Sequence, residues 1–293
     1  MTISRLTALV CLVVLLSSCE PSRHNRIVIG SKNFTEQLVL GELFAQMIEQ
    51  RAHLPVERRF YLAGTYICHQ ALLSGRIDLY PEYTGTALTA VLKEMPSKDR
   101  KQVYDEVKNE YAKRFDLTVG PTLGFDDTFA IEIRGEDARQ LKLKTISQAA
   151  AYTPHWRAGF GYEFMERPDG YKGWIATYGL NFAGEPRIMD LGLLDRALKD
   201  KQVDLIAGNM TDGVIPMLDL AVLQDDKHYF PPYEAVPIIR DDALTQHPEV
   251  RNVLDELSGK ISDDDMRQLN YAVDGQRRDV KEVVSGFIKA KGL

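Results

Sequence analysis

Residues 68–88, CHQALLSGRIDLYPEYTGTAL, contain the pattern that decides the fold. Apolar residues at helical spacing come first, and the stretch from Arg76 to Tyr80 then has the character of a β-strand. The strand passes into two tyrosines, a proline, a glutamate and two threonines around Gly85 instead of a plain polar turn. Because open α/β sheets bind ligands beyond the carboxyl ends of their strands, this concentration of rings and hydroxyls predicts a ligand site.

The segments before this stretch alternate between strand and helix. RIVIG (26–30) and VERRFYL (56–62) predict strands, and SKNFTEQLVLGELFAQMIEQ (31–50) predicts a helix that starts in a cap-like cluster of Ser, Asn and Thr. This alternation predicts an α/β fold with a largely parallel sheet and helices on both faces.

The same order of elements returns later in the chain. WRAGFGYEF (156–164) predicts a strand that opens into a loop, and LLDRALKDKQVDLIAGNMTDG (193–213) predicts helix, strand and loop. ALLSGRIDL (71–79) also aligns with ALKDKQVDL (197–205), and Tyr83 and Asn209 each follow the shared aspartate by five residues. This weak repeat predicts two similar lobes, at about 26–125 and 130–225.

The C-terminal part of the chain has no second set of strands. We therefore expect residues 229–293 to return to the first lobe, with two crossings between lobes near GFDDTFAIEIR (124–134) and LQDDKHYFPPYEAVP (223–237). The loops at the strand ends should then face one another across a single cleft.

The N-terminus predicts export. Arg5 precedes the apolar run LTALVCLVVLLSS (6–18), which is short for a membrane span but typical of a signal-peptide core. We predict a signal peptide at 1–18 and a polar tether at 19–25. LLSSC (15–19) resembles a bacterial lipobox, which predicts lipidation of Cys19 and an extracytoplasmic lipoprotein held at the membrane; the alternative is an ordinary secretory signal with Cys19 incidental.

Composition and motifs argue against several classes of protein. The formal net charge is −6 with no long basic run, so we expect no nucleic-acid partner. The six histidines lack metal-ligand spacing and there is no Cys-x-x-Cys pair, so we expect no metal site. GFGYEF (159–164) lacks the third glycine of a dinucleotide loop, and no Gly-x-Ser-x-Gly elbow occurs, so we expect neither a cofactor nor an enzyme.

Aromatic, cationic and hydroxyl residues remain at the predicted strand ends. Each has an ordinary structural interpretation, such as packing for a tyrosine or a surface ion pair for Arg167 beside Asp169. Together they match a zwitterion with a methylated ammonium, which needs ring faces for its head and donors for its carboxylate. The rings belong to Tyr83, Phe129, Tyr162 and Tyr233, and the donors to Lys32, Thr84, Thr86 and Arg167.

Four segments resemble a known family. IVIGSKNFTEQ (27–37), residues 68–88, ERPDGY (166–171) and YFPPYEAVP (229–237) are similar to the substrate-binding proteins of ABC importers for glycine betaine, choline and related quaternary amines. The resemblance extends from about Arg26 to Leu293. It implies a two-lobed periplasmic-binding-protein fold of the type II-like, two-crossing kind that closes on its ligand, and partners comprising a membrane permease and an ATPase.

The resemblance also implies ligand residues. Tyr83 and Tyr233 match two walls of the family's aromatic cage, and Lys32, Thr86 and Arg167 match its carboxylate partners.

Two cage positions depart from the family, because Phe129 and Asn209 stand where it has tyrosines. Phe129 keeps a ring face, whereas Asn209 loses it. Either Tyr162 replaces this wall, or Asn209 bonds a larger ligand such as an imidazole-bearing or carnitine-like betaine.

Gly85 is expected to let the backbone turn. Two further points stay open from sequence, and the first is that Glu82 is either a surface acid or a partner behind Lys32. The runner-up function is a sensing module that uses the same cleft and signals through a membrane partner.

Overall fold

The computed structural model describes residues 25–293. The predicted signal peptide and Cys19 lie outside the described residues. Within the described part, none of the helices combines the length and the apolar character that crossing a membrane would require.

Ten strands and thirteen α-helices follow one another along residues 25–293. The strands are β1 (Ile27–Lys32), β2 (Val56–Ala63), β3 (Leu79–Tyr83), β4 (Leu117–Val119), β5 (Phe129–Arg134), β6 (Ala158–Phe160), β7 (Arg187–Ile188), β8 (Leu205–Asn209), β9 (Leu220–Leu223) and β10 (Ala235–Arg240). The helices are α1 (Thr35–Met47), α2 (Thr65–Leu73), α3 (Thr84–Thr86), α4 (Arg100–Phe115), α5 (Gly135–Leu141), α6 (Ile146–Ala149), α7 (Tyr162–Glu166), α8 (Tyr171–Tyr178), α9 (Leu194–Lys199), α10 (Asp241–Gln246), α11 (Glu249–Glu256), α12 (Asp263–Asp274) and α13 (Val280–Lys291).

The strands form two five-stranded sheets, in the orders β2-β1-β3-β10-β4 and β7-β6-β8-β5-β9. Four of the five strands in each sheet run in the same direction, so the expectation of a largely parallel sheet is confirmed, and one strand runs against the others. In each sheet the strand that enters from the other lobe, β10 or β5, is antiparallel to both of its neighbours. The physical reason is the direct crossing: the chain arrives at the cleft end of the sheet and runs away from it, whereas β3 and β8 run towards it.

The two crossings lie side by side. Asp126 and Glu234 form an isolated antiparallel bridge between them. The C-terminal helices α12 and α13 pack against α1. We keep 26–125 with 229–293, and 130–225, as the proposed lobe boundaries.

The weak sequence repeat has a structural counterpart in two aspartates. Asp78 accepts the backbone N–H of Val28 at 2.8 Å, and Asp204 accepts that of Arg157 at 3.0 Å. Each aspartate therefore fixes the start of its own strand to the neighbouring strand, and each strand then delivers its last residue, Tyr83 or Asn209, to the space between the sheets.

The start of α1 differs from expectation. Its N-cap is Phe34, which makes no side-chain capping bond. The Thr35 hydroxyl instead donates to Asp274 Oδ1 at 2.7 Å. The polar cluster before α1 thus connects it to α12 rather than capping it.

Candidate functional site

A cavity of about 470 Å³ lies where the strand ends of the two sheets meet. Its walls come from both lobes. Eight of the nine residues predicted to contact a ligand line it: Lys32, Tyr83, Thr86, Phe129, Tyr162, Arg167, Asn209 and Tyr233. Thr84 does not, because its hydroxyl is buried and bonds the second crossing, donating to the Pro232 carbonyl at 3.3 Å and accepting the Glu234 N–H at 3.1 Å. The sequence therefore identified side chains that the fold brings to one place.

The two cationic residues are buried and each is paired with a carboxylate. Lys32 Nζ donates to Glu82 Oε1, which decides the open question about Glu82 in favour of a buried partner. Arg167 binds Asp169 through two parallel bonds of 2.9 and 2.6 Å, and its Nη1 donates to Thr86 Oγ1 at 3.0 Å. Because Lys has three N–H donors and Arg five, both cations retain donors for a further acceptor in the cavity.

Charge and burial oppose each other at the second pair. Burial raises the pKa of Asp169, but the charge and hydrogen bonds of Arg167, with a hydrogen bond from Tyr233, outweigh it and hold this pKa below its ordinary value. Asp169 is therefore a carboxylate, and it holds the Arg167 guanidinium in a fixed orientation.

The aromatic rings are held by their hydroxyls. Tyr83 donates to Glu36 Oε1 at 2.6 Å, and Tyr233 donates to Asp169 Oδ2 at 2.5 Å. Each ring makes a cation–π contact with a side chain of the protein. Lys32 Nζ lies 4.9 Å from the centroid of the Tyr83 ring, and Arg167 Cζ lies 5.1 Å from the centroid of Phe129 and 5.6 Å from that of Tyr233. A ligand cation must therefore share these rings with Lys32 and Arg167.

Tyr162 and Asn209, the two residues considered for the missing wall of the aromatic cage, differ in their surroundings. Tyr162 is 67% exposed and stands at the rim of the cavity, at the start of α7. Asn209 ends β8, and its backbone N–H donates to Asp212 Oδ2 at 3.1 Å. Its side chain lines the cavity with an amide, which offers hydrogen bonds where a ring would offer a face.

Gly85 has a different role from the predicted one. Its backbone is not in the left-handed region, but a Cβ there would lie 2.5 Å from the Pro232 carbonyl oxygen and 2.8 Å from the Tyr233 ring. The glycine thus permits a close approach between α3 and the second crossing, which seats Tyr233 against the first lobe.

Sequence reasoning missed a buried polar cluster under Tyr83. The Thr211 hydroxyl lies within hydrogen-bonding distance of both Glu36 Oε2 and Asp127 Oδ1, and Asn270 also donates to Glu36. Burial raises the pKa of Glu36, and burial together with the Glu36 charge raises that of Asp127 well above its usual range. Since one hydroxyl has one proton, the raised pKa values are consistent with one carboxyl of the two being protonated.

Two further contacts join the lobes across the cleft. Asn33 Nδ2 donates to Asp190 Oδ2 at 3.2 Å, and the Tyr66 backbone N–H donates to Glu163 Oε1 at 3.3 Å. A Cβ at Gly64 would lie 2.4 Å from the Glu163 carboxyl, so this glycine lets the acid reach the start of α2.

Two mixed sheets, two crossings and a cavity lined from both sides define a two-lobed substrate-binding protein. The chain matches the family model for the substrate-binding domain of ABC-type glycine betaine transport systems over residues 25–290. It belongs to this family.

Relatives and solved structures agree with this membership. The chain is 35% identical over 281 residues to a carnitine transport binding protein of Listeria monocytogenes, covering 94% of this chain and 91% of the relative. It is 34% identical over 268 residues to an ergothioneine transport permease/ergothioneine binding protein of Helicobacter pylori, covering 91% of this chain but only 48% of that longer protein. The crystal structure of a glycine betaine/carnitine/choline ABC transporter protein superposes with a TM-score of 0.74 at 34% identity, covering 91% and 98% of the two chains.

Proposed function

We propose that this substrate-binding protein captures a quaternary ammonium zwitterion larger than glycine betaine and delivers it to an ABC permease. The observation that carries the proposal is that two cationic side chains with unused N–H donors and several aromatic rings line one cavity. Lys32 and Arg167 supply donors for a carboxylate, and Tyr83, Phe129 and Tyr233 supply rings for a methylated ammonium.

The size and polarity of the cavity favour a larger betaine. Its volume of about 470 Å³ lies within the range that holds drug-sized ligands, whereas glycine betaine has a single methylene between ammonium and carboxylate. Asn209, Glu163 and Asp190 add hydrogen-bonding groups to the wall. A ligand with a further polar group, such as a hydroxyl or an imidazole-derived ring, would use them.

The transport role rests on family membership, and the partners we propose are a membrane permease and its ATPase. We also propose that Cys19 is lipidated and anchors the protein outside the cytoplasm. Cys19→Ala should release the protein from the membrane fraction, and mass spectrometry of the wild-type N-terminus should show the lipid. A wild-type protein without lipid would disprove the anchor.

Isothermal titration calorimetry with glycine betaine, choline, carnitine and ergothioneine tests the ligand proposal. We expect carnitine or ergothioneine to bind more tightly than glycine betaine, and choline, which has no carboxylate, to bind weakly. Tyr83→Leu and Tyr233→Leu should each weaken binding by about tenfold, because a ring contributes roughly 0.5–2 kcal/mol to a cation.

Tyr111→Leu is the matched control, because Tyr111 is a buried tyrosine of α4 that does not line the cavity. This variant should lose stability but keep its affinity. Wild-type affinity of both Tyr83→Leu and Tyr233→Leu for every ligand would mean that these rings only pack the core.

A further inference from the structure

Three carboxyl groups converge beside the second sheet. Glu132 lies in the middle of β5, Asp195 in the first turn of α9, and Asp212 in the turn after β8. One oxygen from each lies within 4.8 Å of the other two. The cluster therefore joins a central strand, a helix and the turn that follows Asn209.

Glu132 is the most unusual member of this cluster. Its side chain is 0% exposed, and neither of its carboxyl oxygens has a hydrogen-bond partner among the described residues. Asp195 Oδ1 is likewise buried without such a partner. A buried carboxylate without a partner is strongly disfavoured, so Glu132 must either take up a proton or contact a cation.

The surrounding charges make the cluster more unfavourable still. Burial raises the pKa of all three groups, that of Asp195 to about 6, and the charges that act on Glu132 and Asp212 come from other acids. Asp212 responds to Asp195, Glu36 and Asp274. Either protons or a cation must compensate this local negative charge.

We propose that Glu132, Asp195 and Asp212 bind a hard divalent cation of the calcium, magnesium or manganese class. Carboxylate oxygens are the ligands that these ions prefer, at about 2.0–2.6 Å from the metal. Two oxygens on opposite sides of an ion are at most about 5.2 Å apart for calcium and about 4.2 Å apart for magnesium. The separations of up to 4.8 Å therefore fit calcium with little rearrangement, whereas a smaller ion would need the carboxyl groups to move closer together.

The cation would have a definite structural role. Asp212 Oδ2 also accepts the Asn209 backbone N–H at 3.1 Å, and Thr211 beside it contacts the polar cluster under Tyr83. An ion bound to Asp212 would connect the turn at residues 209–213 to α9 and β5. It would thereby fix the part of the cavity wall that carries Asn209.

The test uses the purified full-length protein after treatment with EDTA. Thermal unfolding is measured with added CaCl₂, MgCl₂ or MnCl₂, and Mn²⁺ binding is measured directly by electron paramagnetic resonance. An ion at about 100 times its Kd should raise the Tm by roughly 5 °C. If none of the three ions changes the Tm or binds up to about 10 mM, well above the Kd of weak extracellular calcium modules, the proposal is wrong.

Glu132→Gln should weaken Mn²⁺ binding at least tenfold and abolish the Tm shift. Asp200→Asn is the control, because Asp200 follows α9 in an exposed ion pair with Arg196 and should leave both results unchanged. If circular dichroism shows that Glu132→Gln is unfolded, Asp195→Asn, a less buried ligand, replaces it. Wild-type Mn²⁺ affinity in the folded variant would place the ion elsewhere and overturn the proposal.

Discussion

Replacing Arg167 with methionine tests two roles of this residue: its ion pair with Asp169, which stabilises the fold, and its proposed contact with the carboxylate of the ligand. Methionine fills part of the space but offers no donor, so Asp169 loses both bonds from the guanidinium and keeps the hydroxyls of Tyr233 and Thr89. Arg167 is 6% exposed and Asp169 1% exposed. The variant therefore contains a buried carboxylate that has lost its counter-charge.

The size of the effect follows from this burial. Breaking a buried ion pair by removing one partner costs about 3–5 kcal/mol of unfolding free energy. The double variant Arg167→Met/Asp169→Asn removes the uncompensated charge and should recover most of this loss. For the ligand, loss of a charge-assisted hydrogen bond of about 1.5–3 kcal/mol should weaken carnitine or glycine betaine binding by roughly 10- to 150-fold and leave choline nearly unchanged.

The pH dependence has a definite sign. The pKa of Asp169 is lowered in the folded protein, so the pair stabilises the fold above the ordinary aspartate pKa of about 3.9, and this contribution is lost as pH falls through the lowered value. In Arg167→Met, burial is no longer offset by the arginine. The deficit relative to wild type should therefore shrink as the pH approaches about 4, because a protonated Asp169 needs no cation.

These free energies are measured by urea unfolding between about pH 4 and pH 8, and the affinities by titration calorimetry. The proteins compared are wild type, Arg167→Met, Arg167→Met/Asp169→Asn and Arg167→Lys. Arg167→Lys keeps the charge without the two-bond geometry and should be intermediate. The reasoning is refuted if Asp169→Asn does not rescue the stability of Arg167→Met. It is also refuted if choline loses as much affinity as the carboxylated ligands.

Three other predictions follow from the site. Burial, and next the charge of Glu36, raises the pKa of Asp127, so the free energy of unfolding should fall as pH rises from about 4 through this raised pKa. Urea unfolding of Asp127→Asn should show a smaller fall with pH than wild type, and an equal fall would contradict the prediction. Asn209→Tyr adds a ring worth about 0.5–2 kcal/mol and should tighten glycine betaine up to about tenfold by calorimetry, whereas weaker binding would mean that Tyr162 already fills the space. Glu163→Ala removes the acceptor of the Tyr66 N–H, which is a contact between the lobes. Small-angle scattering of the ligand-free variant should therefore show a larger radius of gyration than wild type. Equal radii would show that this contact does not hold the lobes together.

The sequence predicted the parts of the site that lie at strand ends. Asp78 and Asp204 mark equivalent strand starts, and the residues five positions later, Tyr83 and Asn209, both reach the cavity. The prediction works because a regular strand of five residues has a fixed length, which determines the residue at which the chain reaches the cavity.

The cluster under Tyr83 could not be predicted in the same way. Glu36 lies near the start of α1, a helix that is buried on nearly every side, so no amphipathic period marks which of its acids contacts Tyr83. Asn270 approaches from α12, more than two hundred residues away along the chain. The antiparallel direction of β5 and β10 was missed for a related reason, since it depends on the crossings and not on local composition.

The position of β10 also determines the order in which the two sheets can be completed. β4 pairs with β10 and not with β3, so the first sheet gains the strand that joins β3 to β4 only when residues 235–240 are available. The strands of the second sheet lie in one continuous segment between residues 129 and 223, and can assemble earlier. Pairing between such distant segments is slow, so the first half of the chain remains unfinished until synthesis is nearly complete.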